Sequence, residues 1–325
     1  MKVSQIGRPY FFEIFTVVNL LLLLLALGSL RPIGLQPMTA VIPASIIGFL
    51  LQALIGISIR LAFAARRGAA RELLATYRST GWMTDTLRLA LFVGICVHVY
   101  GWIKLTTPLM NPHLFDQQLW NLDRLLCFGY EPNLFFLTLF SSPSALRVID
   151  WTYAFVFLAS LNIVGIFIAS APDRRLRVCF LNSISMLWLV GAWLYVAVPA
   201  VGPAYRFPQV WLPLAPLLTE TQHLQHLLMT NYLAVLAWRR GSQQPVNLLY
   251  GVAAFPSLHV ASQILAFLWM RRLTKWGGIV FGVFAVFIFI GSIVTGWHYL
   301  VDGLAGAALA WLCYALACKV PAIRT

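Results

Sequence analysis

Two short stretches carry the residues best suited to chemistry: Phe255-Pro256-Ser257-Leu258-His259 and Thr295-Gly296-Trp297-His298-Tyr299-Leu300-Val301-Asp302. His298 and Asp302 stand four apart, so on a helix they share one face. A carboxylate placed there holds an imidazole in one tautomer and makes it a better nucleophile or base. The alternative for the pair is structural, a hydrogen bond that closes a helix end. Each histidine sits at the edge of an apolar run, where polar groups are costly to place and are therefore functional candidates. The histidines are 39 residues apart, about two crossings of roughly 20 residues each. The chain leaving His259 turns at Arg271, Arg272 and Lys275 and returns at His298, so both histidines belong on one face. Two helix N-termini, near Pro256 and near His298, are expected to converge there. Their free N–H groups and positive dipole ends suit a phosphate. Pro256 is expected in the first helical turn, with Ser257 offering a hydroxyl and a backbone N–H.

The elements that must hold these groups are membrane helices. Of 325 residues, 60% are hydrophobic and only 10% charged, and the mean hydropathy is +0.81. A soluble domain needs more charge to cover its surface. The expected fold is an all-α polytopic transmembrane bundle of about eight spans, near 11–30, 41–63, 84–105, 149–171, 178–200, 258–272, 277–297 and 300–318. Residues 1–80 would add two helices and a basic segment to a catalytic domain, 81–325, whose six spans form the core. With eight spans the clusters Lys2/Arg8, Arg66/Arg67/Arg71/Arg78, Arg174/Arg175/Arg177, Arg271/Arg272/Lys275 and Lys319/Arg324 all fall on one side. That places both termini in the cytoplasm and the histidines on the non-cytoplasmic face. The net charge of +13 is thereby spent on orientation and lipid headgroups, and no nucleic-acid-binding pattern accompanies it.

The first apolar run lacks a small-residue cleavage site and is read as a retained helix. Cys96, Cys179, Cys313 and Cys318 lie within or at the ends of apolar runs, Cys127 outside them, and no CxxC pair occurs; neither a disulfide framework nor a metal site is expected. Within 106–148 the apolar stretch Phe135 to Phe140 is too short to cross. Thr221 to Trp238 reads as a helix on the membrane surface, ended by Arg239-Arg240-Gly241. His223 and His226 lack a third ligand and read as a solvated pair, and His98 as a satisfied polar group inside a span.

FPSLH followed by TGWHYLVD resembles the second and third motifs of the phosphatidic acid phosphatase type 2 superfamily, with order, spacing and helix context agreeing over roughly residues 195–310. The nearest branch is the one containing inositol phosphorylceramide synthases, because HYxxD follows Thr-Gly rather than an Arg-led motif. Asp123-Arg124-Leu125-Leu126, with Gly129 and Pro132 downstream, also resembles that branch. The resemblance implies that His298 attacks phosphorus to form a phosphohistidine and that Asp302 orients it. His259 would protonate the leaving group and then serve as base for water or a lipid or polyol hydroxyl, while Ser257 binds phosphate oxygens. No cofactor is implied.

Departures from the phosphatase pattern bear on the substrate. Arg206 is present within Gly202-Pro203-Ala204-Tyr205-Arg206-Phe207-Pro208, but Pro199 stands where the first motif has a lysine. Ser292 stands where the third motif has an arginine, and Leu258 replaces a glycine of the second. Two fixed cations are thus missing unless Arg239 or Arg240 supplies one. A phosphodiester monoanion needs less neutralisation than a monoester dianion. The expected activity is therefore transfer of a phospho-headgroup from a phospholipid donor, with lipid phosphate or pyrophosphate hydrolysis second and a non-enzymatic lipid transporter or scramblase third. Arg206 is either a phosphate ligand or a headgroup anchor, Tyr205 an interfacial aromatic or a ligand contact, and Asp123 a cap or a site contact.

Overall fold

The computed structural model describes residues 9–29, 40–242, 244–317 and 319, and among these every element is helical. In chain order the helices are α1 (Phe11–Ser29), α2 (Val41–Ala65), α3 (Ala70–Arg78), α4 (Thr80–Met110), α5 (Asp116–Leu126), α6 (Pro132–Leu139), α7 (Pro143–Ala169), α8 (Arg174–Ala197), α9 (Pro203–Arg206), α10 (Pro208–Trp211), α11 (Thr219–Ala237), α12 (Leu258–Leu273), α13 (Lys275–Val294) and α14 (Leu300–Ala317). Lys2, Arg8, Cys318, Arg324 and residues 31–39 lie outside the described residues.

Among the described residues seven helices, α1, α2, α4, α7, α8, α13 and α14, are long and apolar enough to cross a membrane. The eighth expected span is α12, which has 16 residues and a length of about 24 Å against a hydrocarbon core of roughly 30 Å. It packs against α7, α8, α13 and α14. Because its surroundings are protein rather than lipid, its length need not match the bilayer. The expected starts at 84, 149 and 178 fall late, since hydropathy misses polar first turns. Ser79, Ser142 and Asp173 accept N–H bonds from Trp82, Ala145 and Arg175 and start α4, α7 and α8 earlier.

The basic residues Arg174, Arg177, Arg271, Arg272 and Lys275 sit at helix ends remote from His259 and His298. At that far end a buried ionic network joins α1 to α4 and α8. Glu13 pairs with Arg88, and Asp85 accepts from Tyr10, from Arg174 at 3.1 Å and from Arg177 at 2.6 Å. Arg177 is 1% exposed. Phe12 and Leu23 of α1 are buried in cores shared with α4 and α8. At the histidine end, α6 covers the short apolar stretch expected near 135–140. There α11 occupies the expected surface-helix segment, closed by a turn over Trp238–Arg240.

Candidate active site

Two backbone devices bring the motifs together. Ser257 caps α12, its Oγ accepting from the Val260 N–H at 3.3 Å. The Ser257 N–H donates to the Asp302 carbonyl at 2.9 Å, so only the hydroxyl proton of Ser257 is left for a ligand. Pro256, expected in the first helical turn, instead precedes the cap, because Ser257 supplies the acceptor that starts the helix. A β-carbon at Gly306 would overlap the Ser257 carbonyl oxygen, so glycine there lets α14 approach the α12 cap. Leu258 fits because α8 presents Gly191 to it, where a β-carbon would lie 2.5 Å from a Leu258 methyl.

His298 stands in the turn between α13 and α14 and is 3% exposed. Its Nδ1 lies 3.4 Å from Asp302 Oδ2, and the same oxygen accepts the Tyr299 N–H at 2.9 Å. Its Nε2 lies 3.2 Å from His259 Nδ1. A proton on His298 Nδ1 facing the carboxylate leaves the Nε2 lone pair directed at His259. Burial lowers the His298 pKa to about 3, with the Lys104 charge acting in the same direction. The ring is therefore neutral, as a nucleophile must be. His259 is partly buried, with its ring 4.4 Å from that of Phe157 and 5.8 Å from that of Tyr153.

Helices α5 and α6 hold this turn from outside. Asp123 accepts the N–H groups of Leu300 and Val301, both at 2.8 Å, and burial pushes its pKa up to about 6. The first N–H groups of α14, expected to face a phosphate, are thus taken by a carboxylate. Of the two converging helix ends, only that of α12 is left for an anion. Asp116 accepts from the Val201 and Gly202 N–H groups at 3.1 and 2.8 Å and from the Tyr299 hydroxyl at 2.8 Å. Asn133 of α6 donates to the carbonyls of Ile293 and His298. Gly202 has φ +102°, and a β-carbon there would lie 2.6 Å from the Trp297 carbonyl oxygen; both conditions demand glycine.

The remaining expected ligands are placed as follows. Arg206 is exposed, its guanidinium 5.8 Å from the Phe207 ring centroid, and its charge is felt at Asp116 and Tyr299. Tyr205 donates its hydroxyl to the Gln225 carbonyl at 2.9 Å. Arg239 donates to the Leu109 carbonyl at 2.7 Å at the end of α4, and Arg240 is exposed. The Pro199 carbonyl accepts from the Phe115 N–H and the Ser292 carbonyl from the His298 N–H, so both positions serve the backbone. His223 and His226 are exposed on α11. His98 is half-buried, and its Nδ1 has no partner among the described residues. Cys96, Cys179 and Cys313 are buried, and Cys127 is half-buried.

Sequence reasoning passed over Asp116, Asn133 and Lys104. Asp116 and Asp123 are seven apart on α5, one face over two turns, which was a readable signal. Lys104 was a cation set within the apolar run that follows Arg88, another such signal. Asn133 carries none.

A family model described as the PAP2 superfamily matches residues 117–316, more than half of the chain. No curated protein and no solved structure matches the chain.

Proposed function

The chain belongs to the PAP2 superfamily, whose members act on phosphoester bonds, and we propose that it transfers a phospho-headgroup between lipids through a phosphohistidine on His298. The observation that carries this reading is the run of contacts Asp302–His298–His259, with His298 neutral and buried between a carboxylate and a second imidazole. His298 Nε2 attacks phosphorus, the bond to the leaving oxygen breaks, and His259, which takes up a proton when the anionic phosphoryl group binds, gives that proton to the leaving oxygen. His259, now unprotonated, takes the proton of the acceptor hydroxyl. The hydroxyl oxygen then attacks phosphorus, and the N–P bond breaks to restore His298. Asp302 faces the positive charge that develops on His298 during attack. Acid–base help of this kind is worth about 10²–10⁴ in rate. At 3.2 Å from Nε2, His259 occupies the space a phosphoryl group needs, so binding must turn its ring aside. The Ser257 hydroxyl and the α12 N-terminus then face the phosphoryl oxygens.

A diester donor is favoured over a monoester by what surrounds the histidines. Pro199 and Ser292 stand at the two missing cation positions, and Asp123 occupies the end of α14. Such a site neutralises one negative charge better than two. Inositol phosphorylceramide synthase-like transfer fits this balance. The basic helix ends remote from the site support an orientation with the site on the non-cytoplasmic face and both termini in the cytoplasm.

The test is incubation of the purified protein with a panel of labelled phospholipids, with and without ceramide, diacylglycerol and inositol-type acceptors, followed by mass spectrometry. The expected product is the headgroup on an acceptor hydroxyl. Release of phosphate from phosphatidic acid, indifferent to any acceptor, would establish hydrolysis instead.

A further inference from the structure

Lys104 lies on α4, before the segment 117–316 that carries the family match. Its stem is fixed by packing: a β-carbon at Gly251 would lie 2.9 Å from Lys104 Cγ and 3.1 Å from its carbonyl carbon. Its ammonium lies 5.7 Å from the ring centroid of Tyr195 on α8. Among the described residues no carboxylate pairs with it. Tyr195 shares one core with Leu258, the neighbour of His259, so the ammonium stands at the histidine end of the bundle, whereas Arg206 is exposed beside Phe207.

An ammonium held half-buried near the end of a membrane helix without a counter-ion is costly. The Tyr195 ring face offsets part of that cost. What would offset the rest is an anion beside the histidines, and one ammonium balances one negative charge. We infer that Lys104 is the phosphate-binding cation of this site, donating to a non-bridging oxygen of the diester in place of the cations absent at Pro199 and Ser292. This assignment rests on the phosphoryl-transfer reading above. It also moves the electrostatic part of the site onto an element outside the matched segment. The α4 lysine supplies the charge, while the segment from α5 to α14 supplies nucleophile, acid and caps.

Orthovanadate, a monoanion near neutral pH and a mimic of pentacoordinate phosphorus, is the probe. Its dissociation constant is read from the melting-temperature shift of the full chain in nanodiscs, for wild type, His298→Ala, Lys104→Met and Lys104→Arg. Wild type should bind, and Lys104→Met should weaken binding about 10- to 100-fold, as expected for a lost charge-assisted contact. Lys104→Arg should recover most of that loss. Lys104→Gln, which keeps a polar tip, decides in the same way should Lys104→Met not fold. Wild-type affinity in the folded, uncharged variant, with His298→Ala unable to bind, would overturn the role of Lys104 alone. No vanadate binding by wild type, or undiminished binding by His298→Ala, would remove the phosphoryl-transfer reading and this inference with it.

Discussion

Replacing Asp302 with asparagine removes the group that can take negative charge opposite the imidazolium of the transition state, and leaves the site's shape intact. Asp302 is fully buried, with Oδ2 3.4 Å from His298 Nδ1 and 2.9 Å from the Tyr299 nitrogen. The amide oxygen of asparagine can still accept the Tyr299 N–H, so the turn that carries His298 should survive. What is lost is attraction for the imidazolium that forms as Nε2 bonds to phosphorus. At the 3.4 Å separation and an effective dielectric constant of about 20, full unit charges interact by about 5 kcal/mol. A transition state carrying half to all of that charge therefore loses about 2.5–5 kcal/mol, or about 70- to 5,000-fold in rate. The assay is the initial rate of headgroup transfer in nanodiscs, on the phospholipid that the wild-type protein turns over. The melting temperature of each variant confirms its fold. A folded Asp302→Asn protein within about threefold of the wild-type rate would refute the account of His298 as a nucleophile facing this carboxylate.

Other perturbations separate the site from its supports. Burial lowers the His298 pKa to about 3, whereas an imidazole in the unfolded chain titrates near 6.5. Between those values the folded protein binds fewer protons, so stability rises with pH there and is lost as pH falls. The melting temperature should drop between pH 7 and 4, and His298→Asn should flatten that slope; equal slopes would contradict the neutral, buried ring. Asp123→Ala strands the N–H groups of Leu300 and Val301 and should cost about 2–4 kcal/mol. Faster amide exchange at those two residues and a lower melting temperature would show it, and unchanged exchange would count against the cap. Asp85→Asn leaves Arg177 without its carboxylate and should destabilise by about 3–5 kcal/mol. Vanadate affinity of the folded fraction should stay at the wild-type value, because the network lies at the far end of the bundle.

Much of the scaffold was legible in advance because membrane spans are written in long apolar runs. Seven of the eight expected crossings reach spanning length, and α12, with 16 residues packed among other helices, is shorter. The helix α11 and the coming together of His259 and His298 followed from length and charge spacing. What could not be read were contacts between segments distant in sequence. Asp123 caps α14 across 177 residues and Asp116 binds Tyr299 across 183, and nothing local to either residue names its partner. The same holds for Lys104, whose place at the histidine end of the bundle depends on how α4 packs against α8 and on how closely Gly251 approaches it. Helix starts were misplaced for a simpler reason, since a capped first turn is polar and escapes any hydropathy window.

The most direct test of the central claim is rapid acid-free quenching of the wild-type protein during turnover of a headgroup-labelled phospholipid, followed by peptide mass spectrometry under alkaline conditions that preserve phosphohistidine. The account predicts a base-stable, acid-labile adduct on the peptide containing His298. That adduct should be absent from His298→Ala and chased into product when an acceptor hydroxyl is added. An active protein with no adduct at His298, or with the label on another residue, would contradict it.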